Sequence, residues 1–120
     1  AAGLLDEGYF MYAEEVDFLW RARRAGVRMA AATRAKMWHK ISATMQADKP
    51  GSRYLRIRNQ IWVYRRYGAP LQKALMLVFT SLRAAGMACA DLARGQGGLI
   101  SPLARGMKDG WLGKIPQPSE

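Results

Sequence analysis

The sequence predicts a mostly α-helical chain with a short β segment near its start, and three observations carry that prediction. Apolar residues recur at helical spacing in the stretches 13–25, 52–67 and 71–94. Glycine and proline fall at the joints, as Gly26, Pro50, Gly51, Gly68 and Pro70. A largely aromatic run, Tyr9, Phe10, Met11 and Tyr12, precedes the first of these stretches and has the composition of a brief extended segment.

In order along the chain, a loop over 3–6 leads to the extended segment 9–12 and then to a helix at 13–25. That helix sets Val16, Leu19 and Trp20 on one side and Glu14, Asp17, Arg21 and Arg24 on the other. Carboxylates at its start and arginines at its end suit the helix dipole, and Gly26 is a natural stop. Two short strands are expected at 27–32 and 35–38, around Thr33 and Arg34. A polar connection over 41–51 ends in a Pro50-Gly51 turn. The helix at 52–67 places Tyr54, Ile57, Ile61 and Tyr64 on one stripe, with Arg53, Arg56, Arg65 and Arg66 outside it.

Gly68 closes that helix and Pro70 opens a third, from 71 to about 94, with Leu71, Leu75, Val78, Phe79 and Leu82 at helical spacing. Its middle, 74–90, holds one charge, Arg83. A spanning helix needs about twenty apolar residues; this run is shorter, broken by Arg83 and Gly86 and closed by Asp91, so it reads as a core, dimer or membrane-surface helix. After a loop at 95–98, a last helix from 101 to about 112 is expected to be capped by Ser101, with Pro102 in its first turn. The tail 116–120 is expected to fray.

At 120 residues the chain is one domain at most. Nineteen Lys and Arg against nine Asp and Glu give a net charge of +10, which favours phosphates, nucleotides, nucleic acid or an anionic lipid surface. The single cysteine, Cys89, excludes an internal disulfide and a multi-cysteine metal site, favours a reducing compartment, and reads as a small core residue. There is no glycine-rich phosphate loop, helix-turn-helix spacing or zinc-finger pattern. The chain starts on a loop with nothing before it to pair with, and reads as the back half of a longer protein.

Chemistry concentrates in the first forty or so positions. Glu14, Glu15 and Asp17 follow the aromatic run at a helix start, where burial and mutual repulsion can make one carboxylate a general base. The plainer reading has Glu14 and Glu15 complementing the dipole and Asp17 pairing with Arg21 one turn on. His39 ends a strand candidate, where it is either a metal ligand or a surface histidine. Arg58, Arg65 and Arg66, interleaved with Trp62, Tyr64 and Tyr67, suit a phosphate backbone or a solvated face whose stems cover apolar surface.

The run Gly3-Leu-Leu-Asp-Glu-Gly-Tyr-Phe-Met-Tyr-Ala-Glu-Glu-Val-Asp-Phe-Leu-Trp-Arg21 resembles the G-x-x-D-E-x-F-F-x-Y-x-E-D-x-D-L-x-x-R signature of family 2 glycosyltransferases, especially rhamnosyltransferase-like bacterial members. The likeness continues through Arg24-Ala-Gly26, His39 and Ser42, and through Tyr54-Leu-Arg-Ile-Arg-Asn59, similar to that group's Y-x-x-R-N helix. Residues 105–110 fit loosely. The resemblance implies the C-terminal part of a GT-A nucleotide-diphospho-sugar transferase α/β fold, incomplete on its own: residues 1–50 the acceptor and base region, residues 51–120 a C-terminal helical extension.

It also implies roles. Glu15 matches the general base, with Glu14 before it, although the pattern carries Asp where this chain has Glu15. Asp6, Glu7, Asp17 and Arg21 match substrate-binding positions. His39 matches a histidine that completes a divalent metal site, Mn²⁺ or Mg²⁺, with other ligands outside this chain. The implied activity is inverting transfer from a nucleotide-sugar donor to a saccharide or lipid-linked acceptor in cell-surface polysaccharide synthesis. It belongs in the cytoplasm, peripheral on the inner face of the membrane, with no nucleic acid partner. The donor half and its Asp-x-Asp motif have no counterpart here. This chain alone is therefore expected to be inactive and, through apolar faces left uncovered, to self-associate. The alternative class is a non-catalytic basic module binding nucleic acid or anionic membrane.

Overall fold

The structure, a computed structural model, describes residues 3–38 and 49–114. It is mostly helical, as expected: α1 spans Glu14–Arg24, α2 Lys49–Tyr67, α3 Pro70–Ala93 and α4 Ile100–Leu112, with 3-10 turns at Glu7–Tyr9 and Gly97–Leu99. His39, Ser42, most of the 41–51 connection and the tail 116–120 lie outside the described residues.

The expected β segment is a correction, because no strand forms among the described residues. At 9–12 the cause is local. The Asp6 side chain accepts from the Gly8 backbone N–H at 3.0 Å and caps the 3-10 turn. Phe10, Tyr12 and Ala13 then adopt φ of 59°, 68° and 70°, a left-handed backbone that no strand accommodates. At 27–32 and 35–38 every residue is exposed and no neighbouring strand offers partners, and an isolated pair of short strands is marginal in water.

Helix α1 ends where Gly26 takes φ 77°. Its buried residues are Asp17 and Ala22, whereas Val16, Leu19 and Trp20, the expected inward stripe, are exposed. A polar anchor, rather than an apolar face, seats this helix. Helix α2 starts at Lys49, so Pro50 and Gly51 lie in its first turn instead of forming the expected turn; proline is tolerated there because first-turn N–H groups lack helical partners.

Helix α2 is central and buries two faces. Ile57 and Ile61 point to one side, where they form the apolar core with Ala84 and Leu103, joined by Met87, Ala88, Met107 and Trp111. Tyr64, placed on the same stripe by its spacing, is exposed. Helix α4 packs closest to α2 because Gly106 and Gly110 stand one turn apart on its inner face. A Cβ at Gly106 would lie 2.7 Å from the Tyr54 carbonyl oxygen, and one at Gly110 2.8 Å from that of Arg58, so only glycine permits this approach. The Tyr54 hydroxyl donates to Asp109 Oδ2 at 3.0 Å, and Arg53 pairs with the buried Asp91 of α3 at 3.2 Å.

Two further expectations are corrected here. The 3-10 turn Gly97–Leu99 runs directly into α4, so Leu99 is the N-cap and Ser101 lies inside the helix rather than capping it. Cys89 is exposed on α3 and not a core residue. The inward stripe of α3 is Met76, Thr80, Ala84 and Asp91, and Leu71, Leu75, Val78, Phe79 and Leu82 point outward.

Candidate active site

The second buried face of α2, opposite Ile57 and Ile61, carries Asn59 and Val63 with Arg58 beside them. It grips the segment between the 3-10 turn and α1. Asn59 Nδ2 lies 2.9, 2.6 and 2.9 Å from the carbonyl oxygens of Tyr9, Met11 and Tyr12. Arg58 Nη2 donates to the carbonyls of Gly8 and Tyr9 at 2.9 and 3.2 Å, and its Nε donates to Asn59 Oδ1 at 2.7 Å. Left-handed residues in this loop turn successive carbonyls toward α2, and the Arg58–Asn59 pair satisfies them. Each such residue costs on the order of 1 kcal/mol and persists only where its surroundings impose it.

Beside this clamp, Asp17 is fully buried. Its Oδ1 accepts from the hydroxyls of Tyr9 and Tyr67 at 3.1 and 2.6 Å and from Arg66 Nη1 at 3.2 Å, and its Oδ2 accepts from Arg21 Nε at 2.7 Å. Burial alone would push its carboxyl up; the hydrogen bonds from Tyr67 and Arg21, the Arg66 charge and the Tyr9 hydroxyl outweigh burial and hold it below its ordinary value. Burial and the Asp17 charge push the Tyr9 and Tyr67 phenols up. Arg66 also donates to Asp6 Oδ2 at 2.8 Å, and that bond raises the affinity of Arg66 for its proton. The ring of Tyr9 packs on Trp62 with centroids 4.2 Å apart, and Trp20 stacks on Tyr67.

Arg66 bridges Asp6 and Asp17, and Asp17 pairs with Arg21 one turn on, as the plainer reading of that spacing had it. With no accessible surface, Asp17 ties α1 to Tyr9 and to the C-terminal turn of α2. Glu7 is exposed in the 3-10 turn. Glu14 and Glu15 open α1. Glu14 is half-buried, and its Oε2 has no hydrogen-bond partner among the described residues. Glu15 is exposed and lines an open groove of about 400 Å³ with Tyr12, Val16, Arg56, Gln60 and Arg83. Tyr12 shares a 3.0 Å hydrogen bond with Ser52 and accepts from Arg56 Nη2 at 3.4 Å; the Ser52 bond and then Arg56 lower its affinity for its proton.

Compared with family models, curated proteins and solved structures, the chain matches none. The groove and the clamp are therefore read on their own chemistry. Among the described residues no three His, Cys, Asp or Glu side chains group to hold a metal. Asp17 and Asp6 are taken up by arginines and tyrosines, so the described residues do not assemble a divalent-cation site by themselves.

Sequence reading missed the work of Arg58, Asn59, Arg66 and Tyr67. Arg58 and Asn59 lie off the Ile57–Ile61 stripe, where an amphipathic helix keeps polar residues in solvent; the apolar Val63 on the same side as Asn59 was the signal of a second buried face.

Proposed function

We propose that residues 6–17, held against α2, are the acceptor-side element of an inverting glycosyltransferase of the family 2, GT-A kind. In this reading an acceptor hydroxyl enters the groove beside Glu15. As its oxygen bonds to the anomeric carbon of a nucleotide sugar, the bond from that carbon to the diphosphate breaks. The hydroxyl proton passes to Glu15, and the nucleoside diphosphate leaves with the electron pair. Arg56 and Arg83 give the groove a positive lining suited to an anionic acceptor such as a phosphate-bearing lipid-linked saccharide.

One observation carries the reading. The two stretches that bear the resemblance, Gly3 to Arg21 and Tyr54 to Asn59, are locked together through Arg58 and Asn59, and the carboxylate at the base position lines open space. The donor-binding half is assigned to a longer natural protein containing this chain.

The test is transfer from UDP-, dTDP- and GDP-sugars to extracted bacterial lipid by that longer protein. Glu15→Gln is expected to lower kcat by about 10²-fold or more while leaving nucleotide binding, followed by calorimetry with Mn²⁺, unchanged. His39→Ala is expected to weaken that binding. Wild-type turnover in Glu15→Gln would contradict the assignment.

A further inference from the structure

Tyr12 holds a backbone conformation that a side chain makes costly. Its φ is 68°, and Ala13 after it shares the left-handed region at 70°. Glycine would take such a position at lower cost, so a tyrosine there implies a use for its side chain. Strained residues of this kind gather at ligand sites. Holding the loop does not require that side chain. Asn59 Nδ2 already lies within hydrogen-bond distance of the carbonyl oxygens of Tyr9, Met11 and Tyr12, and Arg58 takes those of Gly8 and Tyr9.

The Tyr12 hydroxyl is fixed from α2. Ser52 Oγ lies 3.0 Å from it, and Arg56 Nη2 donates to it at 3.4 Å, with the guanidinium carbon 4.6 Å from the ring centroid. A guanidinium has only donors, so that bond fills one lone pair of the phenol oxygen, whereas a serine hydroxyl both donates and accepts. With Ser52 donating, the second lone pair is filled as well, and neither partner is left to accept the phenol O–H. Donated bonds of this kind also lower the affinity of Tyr12 for its proton. Tyr12, Arg56 and Glu15 line the same open groove.

We infer that Tyr12 binds the acceptor, donating its phenol O–H to a ring or hydroxyl oxygen of a saccharide in this groove and holding that sugar beside Glu15. Ser52 and Arg56 act through Tyr12 as positioning residues. This role rests on the sugar-transfer reading of the groove and goes beyond it, because the proton transfer to Glu15 does not itself require Tyr12. A neutral saccharide oxygen suits a phenol, whereas an anionic group is met by Arg56 and Arg83.

The experiment measures kcat and KM for transfer by the longer protein proposed to carry the donor half, with extracted bacterial lipid as acceptor and whichever of the UDP-, dTDP- and GDP-sugars turns over as donor. Tyr12→Phe keeps the ring, its contact with Arg56 and the clamp, and removes only the hydroxyl. It is expected to raise the acceptor KM about five- to tenfold, the worth of one neutral hydrogen bond, with kcat and the donor KM within about twofold of wild type. Tyr54→Phe removes a comparable hydroxyl, bonded to Asp109 Oδ2 at 3.0 Å, and should leave all three unchanged. An unchanged acceptor KM in Tyr12→Phe, while Glu15→Gln loses turnover, would overturn the inference and leave the assignment of Glu15 standing. An equal rise in both tyrosine variants would also overturn it, since loss of a structural hydroxyl would then suffice. Full turnover in Glu15→Gln, or no transfer by the wild type, would overturn the sugar-transfer reading and this role with it.

Discussion

Asn59 is the residue on which the loop depends. Its one side-chain nitrogen serves carbonyls that left-handed backbone has turned inward, so truncation leaves buried acceptors unpaired rather than merely removing a contact. Asn59→Ala is expected to destabilise the fold by about 3 kcal/mol in urea denaturation; a loss under about 0.5 kcal/mol, the ordinary surface range, would show that the clamp is dispensable. Asp17 makes a second residue-scale prediction through pH. Its native affinity for a proton is lowered, so its stabilisation is complete above the ordinary carboxylate range near pH 4 and is lost as pH falls through the depressed value. Tyr9 and Tyr67 are shifted upward, so their contribution is complete below about pH 10 and declines above it. Denaturation midpoints across pH should therefore fall at both extremes, and Asp17→Asn should flatten the acid limb. An acid limb unchanged in Asp17→Asn would contradict this account of the network.

At the scale of elements, the α2–α4 contact rests on the absence of two side chains. Gly110→Ala places a Cβ against the Arg58 carbonyl and the Ile61 side chain, and is expected to cost about 1–3 kcal/mol. Gly86→Ala, a helical glycine whose Cβ would meet nothing within 4 Å, should instead stabilise by about 0.5–1 kcal/mol. Thermal unfolding of the two variants separates packing from propensity, and a loss in both would contradict the geometry. Periodicity and the Gly68 to Pro70 joint made the helices legible, with boundaries off by three residues at α2. Which face each helix buries was harder to read. The leucines of α3 and the Val16, Leu19 and Trp20 stripe of α1 follow helical spacing yet point outward, because periodicity finds an apolar face without saying what covers it. The strands at 27–32 and 35–38 failed for a related reason: strand propensity has effect only where a partner strand exists.

On the scale of the whole molecule, α2 works as a divider. One face builds an apolar core with α3 and α4, and the other holds a polar clamp that fixes the acidic segment and leaves Glu15 at an open groove. The Asp17–Arg21 pair was legible from its one-turn spacing on α1. That Asp17 is buried while Glu15 is accessible was not legible: two positions apart they face opposite sides of α1, and spacing does not say which side is covered. The most direct measurement of the central claim is the pH profile of kcat for sugar transfer by the longer protein proposed to carry the donor half, and by its Glu15→Gln variant. The account predicts an acid limb in the wild type, where protonation removes the base, and a low, flat rate without that limb in Glu15→Gln. The same acid limb and the same plateau in both proteins would contradict it.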